Sequence, residues 1–501
     1  MGQRRAVVIG GGLGGLSCAV RLAADGHDVT VLEKNERAGG KLNQRSGQGF
    51  TFDTGPSILT MPWVLERLFK SAGKDISDYM TITRIEPGWR SFFEDGTTVD
   101  MVADIPQMLH ELRSVNPDDA KKYFDYLQYA QDLYELCRKS FYKESISGLS
   151  ELRQLHSLKE LLGFDPMRTV ADGTSRYFKD KRLQQMFNFL VMYVGSSPYH
   201  APAVLSQLAY VQLGIGVHYV EGGMYNIARG MLRLLEEQGV EVRTEAEVTG
   251  IQTEDGIATG VELADGEVVQ GDVIVSNLEA IPAYRNLTHS PEAVNKSYEL
   301  EKSFIPSVSG HVLLLGVNKK FPKLAHHNFF FANDMEQEFR QIYDQGVPAD
   351  DPTVYVGISS KSDSSQAPEG KENLFVLTHV PALKDGESWE KYREAYREKV
   401  IAKLERQGLT GLREAVEFEY QFIPDDLRDL YGPNGGSIYG IAADKKKNGG
   451  FKIPSQSELY ENLYFVGGST HPGGGVPMVA LSGQLTADLI KKNLSKVNVN
   501  Q

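Results

Sequence analysis

The stretch "AVVIGGGLGGLSCAVRLAADGHDVTVLEK" leaves the N-terminus few ways to fold. Residues 6–9 are apolar and mostly β-branched, as a buried parallel strand requires. Gly10, Gly12 and Gly15 then satisfy G-x-G-x-x-G. The first glycine permits a tight turn, the second lets backbone approach a pyrophosphate, and the third lets helix and strand pack closely. A helix over 14–25 aims its first amides at the phosphates, and 28–32 forms the second strand. Glu33 stands at the tip of that strand, where a carboxylate accepts hydrogen bonds from an adenosine ribose and repels a 2′-phosphate. Leu13, Gly14 and Lys34 complete the expected contact surface of this turn and tip.

Two further motifs decide which dinucleotide is expected. "ERAGGKL" places Arg37, Gly39, Gly40 and Lys41 directly after the ribose acid, and a guanidinium followed by paired glycines suits more contact at the same mouth. "GFTFDTGPSILTMP" adds Asp53, Gly55, Pro56 and Ser57 in another turn. An NAD-only domain has no use for these additions, whereas FAD embedded along its whole length does.

Composition narrows the function classes. The net charge of −13 leaves no basic excess to neutralise phosphates, so a nucleic-acid partner is not expected. The only cysteines, Cys18 and Cys137, lie far apart, which suits a reducing cytoplasm and offers neither a disulfide framework nor a thiolate metal site. No signal peptide is read at the N-terminus, and no apolar run reaches the roughly 20 residues needed to span a bilayer. The longest, "MFNFLVMYVG" at 186–195, suits a buried helix or a surface that dips into lipid.

The nucleotide signals sit at the two ends and the middle of the chain. "WRSFFEDGTTVDM" reads as a hairpin turning at Asp95-Gly96, and helical periodicity runs from Ile105 to about Leu213. Strand and helix return at "VEGGMYNIARGM", followed by a β-meander with Asp-Gly turns. The expected organisation is one discontinuous cofactor domain over 1–80, 221–290 and 431–501. A substrate domain built from the insertions 81–220 and 291–430 completes it.

These motifs, together with "ENLYFVGGSTHPGGGVPMVALSG" near the C-terminus, resemble the phytoene desaturase family of FAD-dependent carotenoid oxidoreductases, within the amine-oxidase-like flavoprotein group. The likeness runs along nearly the whole chain. "DTGPSILTMP", "YVGSSPYHAPAVLS", "LAHHNFFF" and "GIAADKKKNGGF" look like the branch of diapocarotenoid terminal oxidases. The resemblance implies an α/β fold with a Rossmann-type FAD-binding domain and a mixed α+β substrate domain. It implies a C30 polyene whose terminal methyl group is oxidised to an aldehyde, with desaturation as the sister activity. Dioxygen or a quinone would accept the electrons. Val248 matches the position whose backbone meets the adenine. Gly467, Gly468, Gly475, Val476, Pro477 and Met478 would approach the ribityl chain and flavin ring. Gly468 stands where many flavoproteins carry an acid, so the ribityl contact there is expected from backbone or water.

A polyene offers no polar handle, so the chain is expected to supply a long apolar tunnel to the flavin. Phe187, Phe189, Tyr193, Phe329, Phe330 and Phe331 are the aromatic candidates for it. No catalytic side chain is assigned, because the cofactor carries the chemistry and a cationic centre does not demand a base. Asp53 and Glu94 are possible polar groups near the flavin, and no metal site is expected; His326-His327 reads as a structural pair. Substrates of this kind reside in bilayers, so peripheral membrane contact is expected through 186–194, through 158–164 or through the lysines of "DKKKNGG". A flavin amine oxidase and a prenyl-lipid escort protein are the competing readings. They would be betrayed by an aromatic amine cage and by failure to take up FAD, respectively.

Overall fold

The computed structural model describes residues 3–499, apart from Pro433. Five parallel strands form the cofactor half, in the order Leu463–Phe465, Val273–Ser276, Arg5–Ile9, Asp28–Leu32 and Glu241–Arg243. Strands more than 180 residues apart in sequence thus become neighbours at three of the four pairings. Residues Ala6–Ile9 and all of Val273–Ser276 are buried, because helices cover one face of the sheet and a three-stranded meander with helix Ala280–Asn286 covers the other; this is why their sequences are almost unbroken apolar runs. Helix Leu13–Ala24 follows the first strand and helix Val476–Val499 follows the last. The two pack together, tied by Ser17 Oγ donating to the Ala480 carbonyl at 2.6 Å and by Arg21 paired with Asp488 at 2.6 Å. Both helices start at the carboxyl ends of the strands, where open α/β sheets hold their ligands.

A second, seven-stranded sheet is drawn from both inserted blocks. Its order is Val416–Phe422, Ser309–Val317, Glu372–Val380, Val354–Gly357, His327–Phe330, Trp89–Phe92 and Thr98–Met101. The last two are the hairpin read around Asp95-Gly96. Pairing is antiparallel except between His327–Phe330 and Trp89–Phe92. All nine residues of "SGHVLLLGV" are buried in its centre. Each of its leucines contributes about 1.5–3 kcal/mol relative to exposure. Helices between Ile105 and Tyr210 cap this sheet; the first is held by Asp104, which accepts the Gln107 N–H at 2.9 Å, and carries Pro106 in its first turn. The meander read after Gly250 is a three-stranded antiparallel sheet, Val248–Glu254, Ile257–Leu263 and Val268–Gln270.

One expectation fails here. The run at 186–195 forms the end of helix Lys181–Asn188 and a 3₁₀ turn, Phe189–Val194. Met186, Phe187, Phe189, Leu190, Val191 and Met192 are at most 4% exposed. They pack among Tyr126, Phe178, Phe329 and Phe339, so this segment presents no surface to lipid.

Candidate active site

The glycine turn is shaped by steric need. A Cβ on Gly15 would sit 2.2 Å from the Gly10 carbonyl oxygen, and one on Gly12 would sit 2.5 Å from Asn277 Nδ2. Glu33 is 5% exposed and its carboxylate is organised by backbone: Oε2 accepts the Gly11 N–H at 2.8 Å and Oε1 accepts the Asn35 N–H at 2.9 Å. Asn277, at the end of a different strand, accepts the Gly15 N–H through Oδ1 at 3.1 Å. It stitches the turn to the neighbouring strand, and sequence spacing gave no hint of it.

One cavity of about 1100 Å³ runs from this turn into the second half of the molecule. Of the residues expected to hold the cofactor, all line it except Gly14, Gly15 and Arg37. Gly14 and Gly15 are buried against Gly467, Gly10 and Asn277 behind the turn, and Arg37 is exposed on the surface. Asp53 lies beside the cavity rather than in it. Its carboxylate accepts the Met224 and Tyr225 N–H groups at 3.0 and 3.3 Å, and burial pushes its pKa up to about 7. Glu94 is remote from the site, paired with Arg406 at 3.0 Å.

Three ionisable side chains, Lys452 buried and Lys41 and Glu279 half-buried, line the cavity near the C-terminal glycines. Lys41 Nζ donates to the Ser437 and Ile438 carbonyls at 3.0 and 3.1 Å, and Lys452 Nζ donates to the Ile441 carbonyl. Burial lowers the pKa of both, that of Lys452 to about 8. Glu279, two residues after Asn277, is raised by burial, and its Oε2 is enclosed without a hydrogen-bond partner. An unsatisfied buried carboxylate oxygen is costly unless something binds there. The glycine cradle and this acceptor fit a group carrying a diphosphate and hydroxyls. Glu279 lies at the start of helix Ala280–Asn286, just after strand Val273–Ser276, and lines the same cavity as Gly468.

The far arm of the cavity is apolar. Trp89, Phe189, Tyr193, Phe329, Tyr355, Phe375 and Tyr439 wall it, with His379, which burial holds neutral with a pKa near 3. Phe187, Phe330 and Phe331 do not line it: Phe330 is on the opposite face of its strand, stacked on Phe92 at 4.6 Å, and Phe331 stacks on Phe93 at 5.1 Å. The arm also meets Leu149, Leu152, Leu158, Leu161, Leu162 and Phe164. There Leu158 is 76% and Leu162 66% exposed, and nearby Met167 is 80% exposed. Lys445 reaches across to the Met167 carbonyl, which sets the "DKKKNGG" loop beside this apolar lip. His326 and His327 bond separate partners, Ser362 Oγ and Tyr355 Oη, each at 2.8 Å.

A parallel sheet with a glycine cradle at its carboxyl edge, joined to a walled apolar chamber, defines a dinucleotide-dependent flavoprotein fold. The family model for flavin containing amine oxidoreductases matches residues 13–491, and the chain belongs to that family. It is 44% identical to the 4,4′-diaponeurosporene oxygenase of Staphylococcus haemolyticus over 100% of this chain and 99% of that one. It is also 44% identical to a 4,4′-diapolycopene oxygenase from a Methylomonas species, over 98% and 99%. Among solved structures, an oxidoreductase from Methanosarcina mazei shares the fold at a TM-score of 0.66 and 19% identity, covering 97% of this chain and 100% of that one. The chain is a flavin-dependent oxidoreductase.

Proposed function

We propose that this oxidoreductase binds FAD and oxidises the terminal methyl group of a C30 diapocarotenoid to an aldehyde. One observation carries the reading: a single cavity joins the dinucleotide cradle to an aromatic chamber and then to an exposed leucine lip. That is the shape a long polyene needs in order to leave a bilayer end-first and reach a flavin. The names of the 44%-identical relatives support the substrate class.

In this account the cradle of Gly10, Gly12 and Glu33 holds the adenosine and diphosphate end, while Lys41, Glu279, Gly467 and Gly468 hold the ribityl portion. The N-terminus of helix Val476–Val499 presents its amide dipoles to the ring's electron-accepting end. Bound flavin would supply a two-electron acceptor used twice per methyl group, one hydride equivalent taking the terminal carbon to the alcohol level and a second taking it to the aldehyde. Trp89, Phe189, Phe329 and Tyr439 fix the polyene and keep water off the developing charge, which the conjugated chain spreads. Dioxygen or water supplies the oxygen atom, and dioxygen or a quinone takes the electrons onward.

Access is proposed to come from peripheral membrane contact through Leu158, Leu162 and Met167, with Lys446 and Lys447 near anionic headgroups. No helix among the described residues is long and apolar enough to cross a membrane. Incubation of the FAD-loaded protein with a C30 polyene tests the reading. A terminal aldehyde supports it, and a longer chromophore without oxygen assigns the chain to desaturation instead.

A further inference from the structure

Beside the main cavity lies a second void of about 20 Å³, and Ser57 borders both. Its other polar walls are Asp53, Tyr219, His326, Ser359 and Asn373. A void of that size holds one water, and it has more than the two to four polar partners a buried water uses. Tyr219 Oη points to the same conclusion, since it is enclosed and lacks a direct hydrogen-bond partner.

The void also has an outlet. His326, on its wall, is hydrogen-bonded through Nδ1 to Ser362 Oγ at 2.8 Å, and Ser362 is exposed. The other branch from Ser57 is closed. Ser57 Oγ bonds Tyr355 Oη at 2.7 Å and Tyr355 Oη bonds His327 Nδ1 at 2.8 Å, but His327 Nε2 is enclosed with no partner.

We propose that Ser57, one water in the small void, His326 and Ser362 form a proton path between the cofactor cavity and solvent. This rests on the flavin-dependent oxidation set out above, which exchanges protons in a cavity whose inner arm is walled by aromatics. The chemistry of the members suits passage in either direction. A neutral imidazole has one donor and one acceptor nitrogen, and burial keeps His326 neutral by lowering its pKa to about 4. A proton entering at Ser57 Oγ releases that hydroxyl's own proton to the water, and the water passes one to His326 Nε2. His326 gives its Nδ1 proton to Ser362, which releases one to solvent. One proton crosses, no bond other than O–H and N–H changes, and His326 switches tautomer until the reverse passage resets it. Asp53, held by the Met224 and Tyr225 N–H groups with Arg229 and Asp363 as its nearest charges, borders the void and orients the water.

Two measurements test the path. A crystal structure of the protein at a resolution that orders solvent should show one water in the void, within hydrogen-bond distance of Ser57 and His326. A dry void would overturn the proposal whether or not FAD is bound. In the FAD-loaded protein, reduction of the flavin by reduced methyl viologen, a one-electron donor that releases no proton of its own, consumes protons, which a pH-indicator dye follows without any carotenoid. In Ser57→Ala and in His326→Phe, proton uptake should lag flavin bleaching by about a hundredfold. Ser57→Thr, which retains the hydroxyl, should recover the timing. Uptake that keeps pace with bleaching in both deletion variants would overturn the path while leaving the carotenoid reading intact. A normal proton record with no turnover of any C30 polyene would do the opposite.

Discussion

Gly483 lies where helix Val476–Val499 meets helix Leu13–Ala24 with no room for a side chain, and replacing it with alanine probes whether the two helices form one site. An alanine Cβ there would lie 2.3 Å from the Gly14 carbonyl oxygen, 2.7 Å from the Cys18 nitrogen and 3.0 Å from Ser17 Cβ. Ordinary contacts begin near 3.4 Å, so helix Val476–Val499 must move about 1 Å away from helix Leu13–Ala24. In an exposed helix, glycine to alanine would gain about 1 kcal/mol. Here that gain is set against an overpacking cost of about 1–3 kcal/mol, and the obstructing atoms are backbone that cannot rotate aside. The net expectation is a loss of up to about 2 kcal/mol, read in a chain of this length as a fall of up to about 2 °C in Tm. Stability alone would not single out the site. The same shift pulls the Gly12–Gly14 turn from Gly467, so FAD affinity should fall about tenfold, measured by quenching of flavin fluorescence. Gly483→Ala with an unchanged Tm and unchanged FAD affinity would refute the tight coupling of the two helices.

Three other outcomes follow from the same geometry. Glu33→Ala removes the acceptor of the Gly11 and Asn35 N–H groups and should cost about 2–4 kcal/mol together with most FAD binding; titration with FAD and thermal melts check it. Lowering pH from 6.5 to 5 should lower Tm. His311, His326 and His471 have folded pKa values near 4 and His379 near 3, so their contribution is complete above 6.5 and is lost below it. Asp53 and Glu338, raised to about 7, oppose this at about 2 kcal/mol each, but four histidines at a similar size outweigh two acids. A Tm that stays level or rises over that interval contradicts the balance. Finally, Leu158→Glu with Leu162→Glu should abolish flotation with anionic liposomes and leave Tm within about 1 °C, since both side chains face solvent. Retained flotation would remove the lip from the account.

The N-terminal half of the site was legible because its signals are local. Strand, glycine turn, helix and acid follow one another within 30 residues, and the close approach of Gly15 to Gly10 and the hydrogen bonds of Glu33 to Gly11 and Asn35 need no distant partner. Glu279 and Asn277 were not legible: they reach the site only because Val273–Ser276 is inserted beside Arg5–Ile9 in a parallel sheet. The run Phe329-Phe330-Phe331 shows a second limit. A strand turns alternate side chains to opposite faces, which takes Phe330 away from the cavity, while Phe331, on the same side as Phe329 but past the strand's end, is stacked on Phe93; composition distinguishes none of the three. The apolar stretch at 186–194 fitted burial and lipid contact equally well in sequence. It was decided by tertiary packing, with Tyr126, Phe329 and Phe339 brought in from distant elements and Phe178 from nearby to enclose it.

The central claim is that a diapocarotenoid delivers electrons to a flavin held in this cavity. Mixing the FAD-loaded protein with a C30 diapocarotenoid under anaerobic conditions tests it in a single turnover. The account predicts bleaching of the flavin absorbance at a rate that saturates with substrate. When air is admitted, turnover should yield a product heavier by one oxygen atom and lighter by two hydrogens. A flavin that stays oxidised in the presence of the polyene would contradict the account.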